Sequence, residues 1–130
     1  MFLSSLVVLV GGCTSAEARE ERAVIAAIGN LRDSSADDLV KRRELIAALS
    51  KVPVTTPLAR KARDACAETY QLMLEGREGM EKIKADMARL GTAPKNAVED
   101  LAAAKEKVDK SETSMKACQE AAAELAMKRH

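Results

Sequence analysis

Between residues 57 and 128, small and apolar side chains recur at alternating spacings of three and four, and this repeat constrains the fold more than any other feature of the chain. The first run is Ala59, Ala62, Cys66, Thr69, Met73, Gly76, Met80, Ile83, Met87 and Leu90; the second is Pro94, Ala97, Leu101, Ala104, Val108, Ser111, Met115, Cys118, Ala122 and Leu125. A 3,4 alternation keeps its members on one face of a helix, so each run reads as a helix with a single seam turned toward a partner. Gly91 suits the left-handed position after a helix end, and Pro94 suits the first position of the next helix. When the chain is folded back at Thr92 the two seams superimpose, because Cys66 and Cys118 each lie 26 residues from that position. The same reflection sets Gly76 opposite Val108, Met80 opposite Ala104, Met87 opposite Ala97, Thr69 opposite Met115 and Ala59 opposite Leu125. Large mostly faces small, as close packing of two helices requires.

The spacing therefore predicts a long antiparallel hairpin, about 57–90 and 94–128, pinned by a disulfide between Cys66 and Cys118. The competing reading is two buried free thiols in a cytosolic bundle. Closing a loop of roughly 53 residues contributes about 4 kcal/mol in the chain-entropy model, and such a bridge persists outside the cytosol.

Ahead of the hairpin, two shorter helices are expected, about 16–31 and 36–51. Thr14 with Glu17 and Ser35 with Asp38 have capping-box spacing. Val24, Ile28 and Leu31 form one face of the first helix; Leu39, Ile46 and Leu49 form one face of the second. Gly29-Asn30 and Asp33-Ser34-Ser35 read as the end of the first helix and the turn after it. Thr56-Pro57 reads as the N-cap and first position of the long helix. Phe2 and Tyr70 are the only aromatic residues in 130, a composition that favours helix over strand and gives an all-α, four-helix-bundle-like class. The apolar face of the hairpin is widest around the cysteines, where Leu58, Ala65, Leu72 and Leu74 supplement one helix and Ala121, Ala123 and Met127 the other. Helices one and two are expected to cover that base. From about Gly76 to Val108 the flanks are charged, and the tip should project as a bare two-helix rod.

No charged side chain occurs before Glu17, and Phe2–Val10 is an apolar run of signal-peptide length, well short of the roughly 20 residues needed to span a bilayer. The run ends in Val10-Gly11-Gly12-Cys13, which resembles the lipobox of bacterial lipoproteins. Val10 stands where that class more often has Leu. The resemblance implies that 1–12 is a signal peptide removed at maturation and that residues 13–130 form one helical domain. It implies that Cys13 carries the lipid, with acyl chains such as palmitate, each worth about 0.8 kcal/mol per buried CH₂. Thr14 rather than Asp after that cysteine implies the periplasmic face of the outer membrane more than the inner membrane.

Catalysis finds little footing in the residues. His130 is the only histidine and is C-terminal, which argues against Ser/His, Cys/His or multi-His metal arrangements; neither a cofactor nor a metal is expected. Glu99 and Asp100 read as charges at the positive end of a helix dipole rather than as paired acids. With 21 basic and 20 acidic residues interleaved, the net charge of +1 leaves no footprint for nucleic acid. Gly76 reads as a close helix contact or, alternatively, a bend that re-aims the tip. Met73, Met80 and Met87 read as core filling, and Tyr70 as a packed residue with its hydroxyl at the surface. The expected function is that of a non-enzymatic, membrane-anchored envelope protein offering an elongated helical surface to an envelope partner or a second copy. The alternative is a small periplasmic inhibitor-like module acting through helices one and two.

Overall fold

The computed structural model describes residues 15–128, and these form four α-helices: α1 (Ala16–Asp33), α2 (Leu39–Ser50), α3 (Pro57–Leu90) and α4 (Ala97–Met127). They run alternately up and down. The dominant packing is α3 on α4, the long hairpin that the seam spacing demands; α1 lies against α2, α3 and α4, while α2 touches α1 and α3 but not α4. The core is a stack of Val24, Ile28 and Leu31 from α1, Ile46 and Leu49 from α2, and Ala59, Ala62, Cys66, Tyr70, Leu74, Cys118, Ala121 and Leu125 from the hairpin. It therefore fills the base around the cysteines. Ala123 and Met127, expected to widen the α4 face, are exposed instead.

The ends of α3 are those its sequence dictates. Thr56 accepts a hydrogen bond from the Ala59 amide with Pro57 in the first turn, and Gly91 closes the helix at φ 71°. The other boundaries differ from the expected ones, each for a local reason. Helix α1 is capped by Ser15, whose hydroxyl accepts from the Ala18 N–H at 3.1 Å; Thr14 lies outside the described residues. It continues past Gly29-Asn30 to Asp33, because stopping there would leave Leu31, fully buried, without its place in the core. The loss of a Leu contact exceeds the ~1 kcal/mol cost of an interior glycine. Ser34 ends the helix, its hydroxyl donating to the Leu31 carbonyl at 2.6 Å.

Helix α2 begins at Leu39 rather than 36. The Ser35 hydroxyl is used in the turn, accepting from the Asp37 N–H at 3.3 Å, and Asp38 becomes the cap, accepting from the Lys41 N–H at 3.0 Å. Helix α4 begins at Ala97 rather than at Pro94, since Pro94–Ala97 closes a turn through the Ala97 N–H to the Pro94 carbonyl at 3.1 Å. The extra residues span the gap between two helix axes, which are typically 8–10 Å apart.

Gly76 is a point of contact. A Cβ there would come within 2.6 Å of Val108 Cγ2 and 2.9 Å of the Ala104 carbonyl oxygen, so α3 and α4 meet at a spacing that only glycine permits. At Gly79 an added Cβ would meet the Ala104 Cβ at 3.1 Å, a contact relieved by a small shift. Gly76→Ala is expected to lower unfolding free energy by about 1–3 kcal/mol despite the helix-propensity gain of up to ~1 kcal/mol. Gly79→Ala should stay within about 1 kcal/mol of the parent, the propensity gain offsetting the squeeze. Urea titrations of the two single variants separate them; equal effects would mean the seam does not close at Gly76.

Candidate functional site

The cysteine layer lies where the 26-residue reflection places it. Cys66 and Cys118 form a disulfide with S–S 2.06 Å and Cα–Cα 4.6 Å, and both residues are buried. One turn toward the tip is a polar layer between the same helices: the Thr69 hydroxyl donates to the Ala65 carbonyl at 2.8 Å and lies 2.9 Å from the Ser114 hydroxyl. Ser111 donates to the Val108 carbonyl at 2.6 Å. Every buried hydroxyl in this layer has a partner, so the layer fixes helix register without a desolvation penalty.

Two sets of polar contacts mark the ends of the base. At one end the Glu20 carboxylate accepts from the Thr55 N–H at 2.9 Å and its hydroxyl at 2.8 Å, and buried Glu21 accepts from Lys128 at 2.9 Å. The hydrogen bond to Glu21 raises the Lys128 pKa against the opposing effect of burial. These ties bring the start of α1, the entry to α3 and the exit of α4 together. At the other end Asp37 pairs with Arg77 at 3.1 Å, and Arg43 pairs with Glu78. They are the last ties between the short helices and the hairpin.

Beyond them the hairpin continues unaccompanied for the last 12 residues of α3, a further ~18 Å. Its solvent faces hold ion pairs such as Lys82–Asp86 at 3.0 Å and Lys105–Asp109 at 2.9 Å; the Lys82 hydrogen bond holds the Asp86 carboxyl below its ordinary value. The seam dries only at Ile83 and Ala104. Two helices alone cannot cover both flanks of a shared stripe, so Met87 is 46% exposed, Leu90 48% and Leu101 50%, and beside the stripe Val98 is 83% exposed. The outer part of the seam, expected as core, is thus an apolar surface at the tip.

Cys13 and His130 lie outside the described residues. Glu99 and Asp100 sit exposed in the first turn of α4, where they complement its positive end. Met73 and Met80 are half-buried, in keeping with core filling, whereas Met87 is not. Tyr70 is buried, its ring under the Arg42 guanidinium at 5.7 Å from the centroid. Among the described residues there is no group of three or more His, Cys, Asp or Glu that could hold a metal ion, and no helix is long and apolar enough to cross a membrane.

The sequence reading missed two buried charges, Glu21 and Arg42. Each stands in phase with its helix's apolar face, Glu21 with Val24, Ile28 and Leu31, and Arg42 with Leu39, Ile46 and Leu49, and that phase was the signal available. Arg42 is held by the carbonyls of Ser35 at 3.2 Å and Ser34 at 3.4 Å, so it seals the α1–α2 turn onto Tyr70.

No protein-family model matches this chain, and no curated protein or solved structure matches it either.

Proposed function

We propose that the protein is a non-enzymatic, lipid-anchored component of a bacterial cell envelope, held through Cys13 and presenting the tip of the hairpin to a protein partner. The observation that carries this reading is the polarity of the rod. Ser15, two residues after Cys13 in the sequence, caps α1 at the end of the molecule where Glu21 meets Lys128, and the exposed Met87, Leu90, Val98 and Leu101 are at the other. A 34-residue α3 makes that separation about 50 Å. A tether at residue 13 would therefore hold the base at a membrane and direct the apolar tip away from it. The bridge between Cys66 and Cys118 supports an exported location, since such bonds are rare in the cytosol. The outer membrane, periplasmic face, is the assignment that Thr14 favours.

Two measurements test this. Replacing Cys13 by Ala should abolish acylation, seen as loss of the lipid mass, and release the protein from the membrane fraction, because two or three acyl chains are what make attachment stable. A variant that remains membrane-bound with unchanged mass would remove the anchor. A photo-crosslinker placed in turn at positions 90–95 and 20–45 in cells then locates the partner surface. Capture from 90–95 supports the tip. Capture confined to 20–45 transfers the function to the short helices, the inhibitor-like alternative, for which the exposed Val40 of α2 is the one favourable observation. Capture of a second copy of the chain would identify the partner as itself.

A further inference from the structure

Because α2 does not reach α4, the side of the base between α1 and α4 is left without a covering helix. A groove of about 340 Å³ runs there, inside the roughly 300–1,000 Å³ of small-molecule sites. Its walls are apolar: Ile25 and Ile28 from α1 face Met115, Ala122 and Ala126 from α4. The alanines are too short to meet the isoleucines, and that mismatch makes the groove.

One end is polar. Tyr70 lines it; the residue is only 6% exposed, but its hydroxyl, which has no hydrogen-bond partner among the described residues, is not itself buried and is open to an acceptor from outside. The ring cannot easily turn away, since Arg42 lies across it and is itself fixed to the carbonyls of Ser34 and Ser35. Burial raises the phenol pKa, outweighing the nearby Arg42 and Arg32 charges, so the hydroxyl is a donor at neutral pH. Arg32, also on the lining, has a mostly exposed side chain whose Nη2 stands 3.6 Å from where a Gly29 Cβ would be, an ordinary contact distance, so the guanidinium sits at the groove's edge beside Gly29. Its Nε donates to Asp33 at 3.2 Å, which leaves the Nη groups for another acceptor.

We propose that this groove binds a long-chain fatty acid, its aliphatic chain between Ile25, Ile28 and the α4 alanines and its carboxylate received by the Tyr70 hydroxyl and the Arg32 guanidinium. The trough supplies apolar walls on two sides, and the head end offers a carboxylate two kinds of donor: a neutral hydroxyl, and the Nη groups of a planar guanidinium whose ion pair with Asp33 uses only Nε. A chain without an oxygen head group would offer the Tyr70 hydroxyl no acceptor, and a neutral ester would offer one without the charge that Arg32 complements. The proposal concerns the flank of the base and is independent of the anchor and of the tip.

The test is calorimetric titration of the full chain with laurate, below its micelle concentration, beside methyl laurate and a zwitterionic lysophospholipid of the same chain length. Saturable one-to-one binding of laurate is expected, with methyl laurate at least about tenfold weaker, the loss of a charge-assisted contact. Arg32→Gln should weaken laurate several-fold to tenfold while leaving methyl laurate unchanged, and Tyr70→Phe should weaken laurate several-fold. Ala126→Phe, at an exposed position of α4, should fill the groove and abolish binding with the helical signal and thermal transition retained. Tyr70 is the only Tyr and there is no Trp, so its emission independently reports occupancy of the head end. No saturable binding, laurate and methyl laurate binding alike, tighter binding of the lysophospholipid, or unaltered binding to Ala126→Phe would each overturn the proposal. So would laurate binding seen only when Cys13 is replaced by Ala, which would make the occupant the protein's own acyl chain.

Discussion

Removing the Cys66–Cys118 bridge, by replacing both cysteines with Ala, is expected to lower the unfolding free energy by about 4 kcal/mol in the chain-entropy account, the value for a closed loop of this size. The sequence separation is 52 residues, and the closed loop contains most of the hairpin, so the unfolded chain gains freedom across the outer halves of both long helices. The folded state changes less, because Ala59, Ala62, Ala121 and Leu125 around the bridge are already fully packed and helix contact at Gly76 is unaffected. Denaturant titration of the double variant beside the oxidised parent measures the difference; far-UV circular dichroism should show the helices retained at zero denaturant. A loss below about 1 kcal/mol would mean that the unfolded chain is already confined by residual hairpin structure, contrary to the role assigned to the bridge.

Leu31→Ala is expected to cost about 2–5 kcal/mol, the range for truncating a fully buried leucine. Leu31 is among the largest side chains with no exposure at all, and it stands in the last turn of α1 immediately after Gly29-Asn30. That turn is held by packing against local preference, so the variant should lose stability and also some helical signal as the residues after Gly29 fray. The Ser34 hydroxyl, which donates to the Leu31 carbonyl, would lose its fixed acceptor, and the Ser34 and Ser35 carbonyls just past the helix end, which hold Arg42, would be loosened with it. Thermal melts followed by circular dichroism test both parts. A cost under about 1 kcal/mol would show that the turn is kept by its own hydrogen bonds and that Leu31 is not what carries α1 past the glycine.

Much of the molecule is legible in one dimension because the controlling interactions are either local or periodic. The bounds of α3 follow from Thr56, Pro57 and Gly91, whose effects act within a few bonds of the chain. Register between α3 and α4 follows from a repeat that continues over both helices, so one reflection point orders every layer and brings two sulfurs together. The starts of α2 and α4 were displaced by three residues for the converse reason. Ser35 and Pro94 can open a helix or close a turn with the same atoms, and the path needed to reach the next helix selects between the two uses.

The candidate surfaces divide in the same way. That the tip would stand apart was readable from its charged flanks; that Met87, Leu90 and Leu101 are uncovered there was not, since a seam residue is buried only if neighbours reach around both sides of it. The buried Glu21 and Arg42 were in phase with apolar faces, but their partners, Lys128 and the carbonyls of Ser34 and Ser35, are brought to them by other helices. What the amino-acid order determined alone is therefore the helices, the fold-back and the cysteine pair, because periodicity and caps are properties of the chain itself. What the tertiary structure decided is which parts of those faces stay open, the tip and the groove between α1 and α4, because exposure depends on how far a third and fourth helix extend along the hairpin.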